Sequence, residues 1–106
     1  MNILKRLEAT ITERKQGGDA GKSHTAKLLA KGPAKCAQKF GEEAVEAVIA
    51  AALNDHDELV GECADTLYHM LVMLASRDVR LADVLAELER REGVSGIAEK
   101  AGRKGD

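Results

Sequence analysis

At 106 residues the chain has room for one domain and none for a second. Apolar residues make up 44% of it, yet the aromatics are Phe40 and Tyr68 alone, and the remainder is mostly Ala, Leu and Val, which suits closely packed helices rather than a β-sandwich. Sixteen basic and eighteen acidic residues leave a net charge of −2, without the basic excess of a nucleic-acid binder. Cys36 and Cys63 are too few and too far apart for a zinc site or a disulfide framework. No apolar run reaches the roughly 18 residues of a membrane span. The opening Met1-Asn2-Ile3-Leu4-Lys5-Arg6 lacks the apolar core of a signal peptide. A reduced, cytoplasmic protein with no membrane or nucleic-acid partner is expected, and its small size favours a homo-oligomer.

Residues 2–15 place Ile3, Leu4, Leu7 and Ile11 at helical spacing between charges, an amphipathic helix. Gly17-Gly18-Asp19-Ala20-Gly21 breaks it. A short helical piece follows over Ser23 to Ala30, stopped by Gly32 and restarted by Pro33, a residue suited to a helix's first turn. From Pro33 to about Leu53 the apolar positions Ala44, Val45, Val48, Ile49, Ala52 and Leu53 form one broad stripe. Asn54-Asp55-His56-Asp57 is a turn, with Asp55 and Glu58 spaced as a capping box. The next helix runs to about Ser76. Its second half, Met70 to Ala75, is apolar all round and points to a subunit interface. A last helix covers about Leu81 to Arg91, and the Gly-, Lys- and Ala-rich residues 93–106 read as a flexible tail. The fold class is therefore all-α, an antiparallel bundle of four to five helices completed by dimerisation.

Gly17 to Ser23 reads GGDAGKS, superficially a phosphate-binding loop. The motif requires Gly where Gln16 stands and a buried strand before it, whereas Thr12-Glu13-Arg14-Lys15 is the polar end of a helix, so this reading fails.

The two long helices each carry an acidic pair three residues apart, Glu43 with Glu46 and Glu62 with Asp65. Residues so spaced are neighbours on a helix and like charges there repel, unless a cation lies between them. If the helices pack antiparallel through the turn at 54–57, four carboxylates can surround a space suited to a hard divalent ion. The plain alternative is a solvated acidic face, and a helical wheel does set Asp65 away from the apolar stripe. Against it, Glu46 interrupts a run of small and apolar residues, and Asp65 lies close to the all-apolar segment, where bare acids are costly. Upstream, Lys22, Lys27, Lys31, Lys35 and Lys39 crowd together, either to meet phosphate or as a solvated face.

Glu42-Glu43-x-x-Glu46, fifteen residues, then Glu62-x-x-Asp65 resembles the motif of the MazG-type all-α nucleotide pyrophosphohydrolases. Within that superfamily the chain is most similar to the phosphoribosyl-ATP pyrophosphohydrolases. That likeness rests on Ser23-His24-Thr25-Ala26-Lys27-Leu28-Leu29, Lys31-Gly32, Lys35, Ala37-Gln38-Lys39-Phe40-Gly41-Glu42-Glu43-Ala44, Glu62-x-x-Asp65-x-x-Tyr68-His69 and Asp83 to Arg91. It spans about residues 3 to 92. Two positions depart from the family pattern: His24 stands where Tyr is usual, and Cys36 where an aliphatic residue is.

The resemblance implies a catalytic domain over 1–92 that hydrolyses the α–β phosphoanhydride of phosphoribosyl-ATP in histidine biosynthesis, with Mg2+ as cofactor, working as a homodimer or higher homo-oligomer. It implies Glu43, Glu46, Glu62 and Asp65 as metal ligands and Glu42 as a fifth acid that is either a ligand or the group orienting water. Lys35 and Lys39 become candidates to hold the triphosphate, with Lys27, Lys31, Ser23 and Thr25 as weaker ones. His69 is expected to pack, and Tyr68 either to hydrogen-bond across the site or to pack. The rivals are a house-cleaning nucleoside triphosphate pyrophosphohydrolase of the same superfamily and a helical dimerisation module without chemistry.

Overall fold

A computed structural model of the chain describes residues 2–18, 21 and 23–93. The expected tail, apart from Gly93, lies outside them, as do Asp19, Ala20 and Lys22. Among the described residues there are five helices, α1 (Ile3–Gly17), α2 (His24–Ala30), α3 (Pro33–Ala52), α4 (His56–Ser76) and α5 (Leu81–Glu92), and no strand. The boundaries follow local chemistry. Asn2 caps α1 and Ser23 caps α2 with side-chain oxygens that accept backbone N–H groups. Gly32, at φ 97°, turns the chain into α3, and Pro33 fills its first position.

The α3–α4 hairpin is closed by three residues, Leu53, Asn54 and Asp55. Asn54 takes the left-handed conformation (φ 57°), so its N–H bonds the Ala51 carbonyl and the Asp55 N–H reaches back to Ala50. This is the Schellman arrangement, with Asn in the place more often held by Gly. Asp55 then starts α4 by accepting the Glu58 N–H. Only the forward half of the expected capping box is present, because the Asp55 N–H already serves the end of α3. Asp78 repeats the device at the end of α4, at φ 59°, with Val79 bonding the Leu74 carbonyl.

The core gathers Ile11 of α1, Leu28 of α2, Cys36 of α3, Leu71 and Val72 of α4, and Leu81 of α5. Cys36 is fully buried and donates its thiol to the Leu28 carbonyl, so it packs as a small hydrophobe where an aliphatic residue was expected. The placement of Leu71 and Val72 bears on the apolar end of α4. Within the apolar second half of α4, Leu71 and Val72 are buried in the chain's own core with residues of α1, α2, α3 and α5, while Met70, Met73, Leu74 and Ala75 are half-buried. On the α3–α4 hairpin, Val45, Val48 and Ile49 of α3, Leu53 at its C-cap, and Val60 and Leu67 of α4 are left bare. No helix among the described residues is long and apolar enough to cross a membrane.

Helix α1 ties down the α4–α5 corner from both sides. Lys15 Nζ donates to the Ala75 carbonyl and to Asp78 at the end of α4. Glu8 Oε2 accepts the Leu81 N–H at the start of α5, 2.7 Å away, where the N-cap residue Arg80 offers no side-chain bond of its own. Glu8→Ala is expected to destabilise the protein by about 1–2 kcal/mol, the loss of a helix cap. That corresponds to roughly 4–8 °C per kcal/mol in the thermal midpoint of a domain this size. Glu8→Gln, which keeps an acceptor oxygen, should lose distinctly less in the same melt.

Candidate metal centre and basic cleft

Antiparallel packing of α3 on α4 sets one acid of α3 against two of α4. One carboxylate oxygen each from Glu43, Glu62 and Asp65 lies within 4.8 Å of the other two. Glu43 and Glu62 are half-buried and Asp65 is exposed. Glu62 Oε2 is shut off from solvent and has no hydrogen-bond partner. Loss of solvation pushes the Glu62 carboxyl above its ordinary range, and the neighbouring Glu58, Asp65 and Glu43 push the same way. A buried acceptor without a donor, flanked by like charges, is the donor set a hard cation satisfies.

The structure therefore brings together three of the four expected ligands. Glu46 is exposed and stands outside the group. Glu42 is also outside it. Its Oε2 accepts from Gln38 at 2.9 Å and its Oε1 lies 3.4 Å from Lys39 Nζ, and these two neighbours hold its carboxyl below the usual range. Glu58 was read in the sequence only as part of a cap. Its i,i+4 spacing to Glu62 was the available sign that a further acid stands beside the group.

Beside the acids a cleft of about 310 Å³ opens between α2 and α3. Its walls are His24, Lys27, Leu28 and Lys31 on one side and Lys35, Gln38, Lys39 and Glu42 on the other. All four lysines expected to meet phosphate thus line one space, and His24 joins them. Ser23 and Thr25 do not line it. The Ser23 hydroxyl caps α2 by accepting the Ala26 N–H, and the Thr25 hydroxyl is hydrogen-bonded to that of Tyr68. His69 lies beneath both regions, close enough for the charges of Glu43, Asp65, Lys39 and His24 to act on it. It is buried, its Nδ1 has no partner, and the Tyr68 ring meets it edge-on with centroids 4.8 Å apart. Burial keeps the imidazole below its ordinary range, with the Glu43 carboxylate partly opposing. A larger cavity of about 750 Å³ between α1 and the end of α4 contains none of these residues, and the charges of Lys15 and Asp78 in it satisfy each other.

The sequence profile of the phosphoribosyl-ATP pyrophosphohydrolase family matches residues 4–92. A phosphoribosyl-ATP pyrophosphatase of Dinoroseobacter shibae is 69% identical over 103 residues, covering 97% of this chain and all of the relative. One from Cereibacter sphaeroides is 67% identical, covering 97% of this chain and 99% of the relative. Another, from Paracoccus denitrificans, is 66% identical over 101 residues, covering 95% and 93%.

The crowding of Glu62 has a measurable sign. A carboxyl whose pKa is raised by folding adds stability only when protonated, so its contribution is present below the ordinary value of 4.5 and is lost as pH rises through the raised one. In chelator-treated protein, Glu62→Gln should raise the melting temperature at about pH 7–8, and the gain should shrink as pH falls towards 4.5. A gain that is absent, or that grows on acidification, would show that the acids do not repel.

Proposed function

The chain belongs to the phosphoribosyl-ATP pyrophosphohydrolase family, and from that premise we propose that it hydrolyses phosphoribosyl-ATP to phosphoribosyl-AMP and pyrophosphate, a step of histidine biosynthesis, at the acids and lysines gathered between α2, α3 and α4. The observation that carries the siting is the orphaned, solvent-excluded Glu62 oxygen inside a carboxylate trio, next to a cleft walled by four lysines. The three acids fit Mg2+, which takes oxygen ligands and leaves other positions to phosphate and water. Glu46, one turn beyond Glu43 and exposed, is the fourth ligand in this reading. Once bound, the ion neutralises phosphate charge and lowers the pKa of water.

The chain's own residues divide the remaining work. Lys27, Lys31, Lys35 and Lys39 bind the polyphosphate and draw it along the cleft towards the acids. Glu42, held anionic by Gln38 and Lys39, orients the Lys39 ammonium and a water at the boundary between the two regions. His69, buried and kept neutral, packs under the site rather than exchanging protons with it. The free thiols Cys36 and Cys63 suit the reducing cytoplasm, where we place the enzyme. Family membership sets aside the module without chemistry, and nothing in the site favours a broad house-cleaning activity.

Release of pyrophosphate from phosphoribosyl-ATP, with magnesium and with a chelator, tests the reading against a panel of ordinary and modified nucleoside triphosphates. Magnesium-dependent cleavage of phosphoribosyl-ATP is expected, with Glu43→Gln and Glu62→Gln each reducing it by about 100-fold or more. Cleavage of several triphosphates with phosphoribosyl-ATP left intact would overturn the assignment.

A second copy of the chain covers the bare apolar stripe in this reading. Val48 is 66% and Leu53 74% exposed, and their neighbours on both helices of the hairpin are aliphatic too. Two antiparallel hairpins related by a twofold axis complete a four-helix bundle and bury both stripes at once. Val48→Lys, which sets a charge in the middle of the stripe, should convert the dimer to a monomer in sedimentation experiments at micromolar concentration.

A further inference from the structure

Helix α2 is seven residues long, too short to hold its own shape in water, so its placement depends on what it touches. Its buried Leu28 and Ala26 anchor one side. His24, Lys27, Leu28 and Lys31 recur at i, i+3, i+4 and i+7, and this face forms one wall of the basic cleft. Thr25, one position off that face, turns away from the cleft, and its hydroxyl is hydrogen-bonded to Tyr68 on α4, 43 positions along the chain. Tyr68 lies one turn beyond Asp65, packs on the core and stacks edge-on to His69. The bond therefore joins the helix that carries lysines to the helix that carries acids, close to where both present them.

Resting on the site proposed above, we infer that the Thr25–Tyr68 hydrogen bond is the strut that sets the lysine face of α2 relative to the acids of α4, making Thr25 and Tyr68 positioning residues for the substrate's polyphosphate. Neither hydroxyl is needed to touch substrate. A substrate spanning cleft and acids must meet both charge sets at one separation, and a rocking α2 weakens its binding without altering the acids.

Two readouts test this, one of which needs no turnover. Titration calorimetry with inorganic pyrophosphate and magnesium should show Tyr68→Phe and Thr25→Val each binding roughly three- to tenfold more weakly, the worth of one hydrogen bond. In the assay, KM for phosphoribosyl-ATP should rise by a similar factor, with kcat within about twofold and the magnesium midpoint unmoved. Thr25→Ser, which restores the hydroxyl, should restore both constants. The double variant should be no worse than either single one, as expected for two ends of one bond. Unchanged pyrophosphate affinity in both single variants would overturn the strut. So would a loss confined to Thr25→Val, which would mean that Thr25 meets phosphate itself, or a fall in kcat at constant KM. A wild-type protein that binds pyrophosphate but leaves phosphoribosyl-ATP intact would instead refute the substrate assignment, with the strut still judged by calorimetry.

Discussion

Glu43, Glu62 and Asp65 repel one another, and they stay within 4.8 Å because the hairpin that carries them is held from elsewhere. At one end, Asn54 and Asp55 close the turn with backbone bonds to Ala51 and Ala50 and a side-chain cap on α4. Towards the other, Cys36, Leu71 and Val72 lie in the common core. Between these fixed points α3 offers Ala44 and Ala47, both half-buried, and the buried Ala50, small residues that let α4 approach. The acids thus occupy a stretch whose spacing is set by packing on both sides, and their repulsion has no local route to relief.

The same hairpin is used unevenly along its length. The end of α4 is spent on the chain's own core, while the turn end of both helices leaves Val48, Ile49, Leu53 and Val60 bare. Glu62 and Asp65 sit where the covered half gives way to the uncovered one. In the proposed reading an ion bound there would lie between the packed half of the hairpin and the face we give to a second copy. Closing that face would lower the local dielectric around Glu62 and strengthen its hold on a cation.

Periodicity together with breakers and caps placed the helices: Asn2, Ser23, Gly32 with Pro33, and Asn54 with Asp55 mark four of the starts, while α5 begins at Arg80 without a cap of its own. The acids on α3 and α4 were legible for the same reason, since a helix and a short turn leave little freedom in where residues project. What a linear pattern does not carry is which neighbour covers a face. Met70 to Ala75 reads as buried on all sides; Leu71 and Val72 are buried within the chain itself, against residues of α1, α2, α3 and α5, and the other four are half-buried. Side-chain use was equally hidden. Ser23 and Thr25 read as weaker candidates for phosphate, and in the fold their hydroxyls serve the α2 cap and Tyr68. Glu46 fits the spacing of a ligand and is exposed one turn beyond Glu43, outside the trio that packing brings together.

Opposite charges this dense would ordinarily collapse onto each other, and the geometry keeps them apart. Among the described residues the one ion pair between the lysine cleft and the acid row is Lys39 with Glu42, at its edge. Glu43, Glu62 and Asp65 make no such pair, although Lys39 is one helical turn from Glu43. Had the lysines closed onto the trio, both would be neutralised and neither would have cause to bind a ligand. Held apart, each set is left to be completed by something of the opposite sign; in the proposed reading these are a cation for the acids and a polyphosphate for the lysines, two ligands that attract each other. On that reading each would bind better when the other is present, a coupling that follows from charge placement and needs no conformational change.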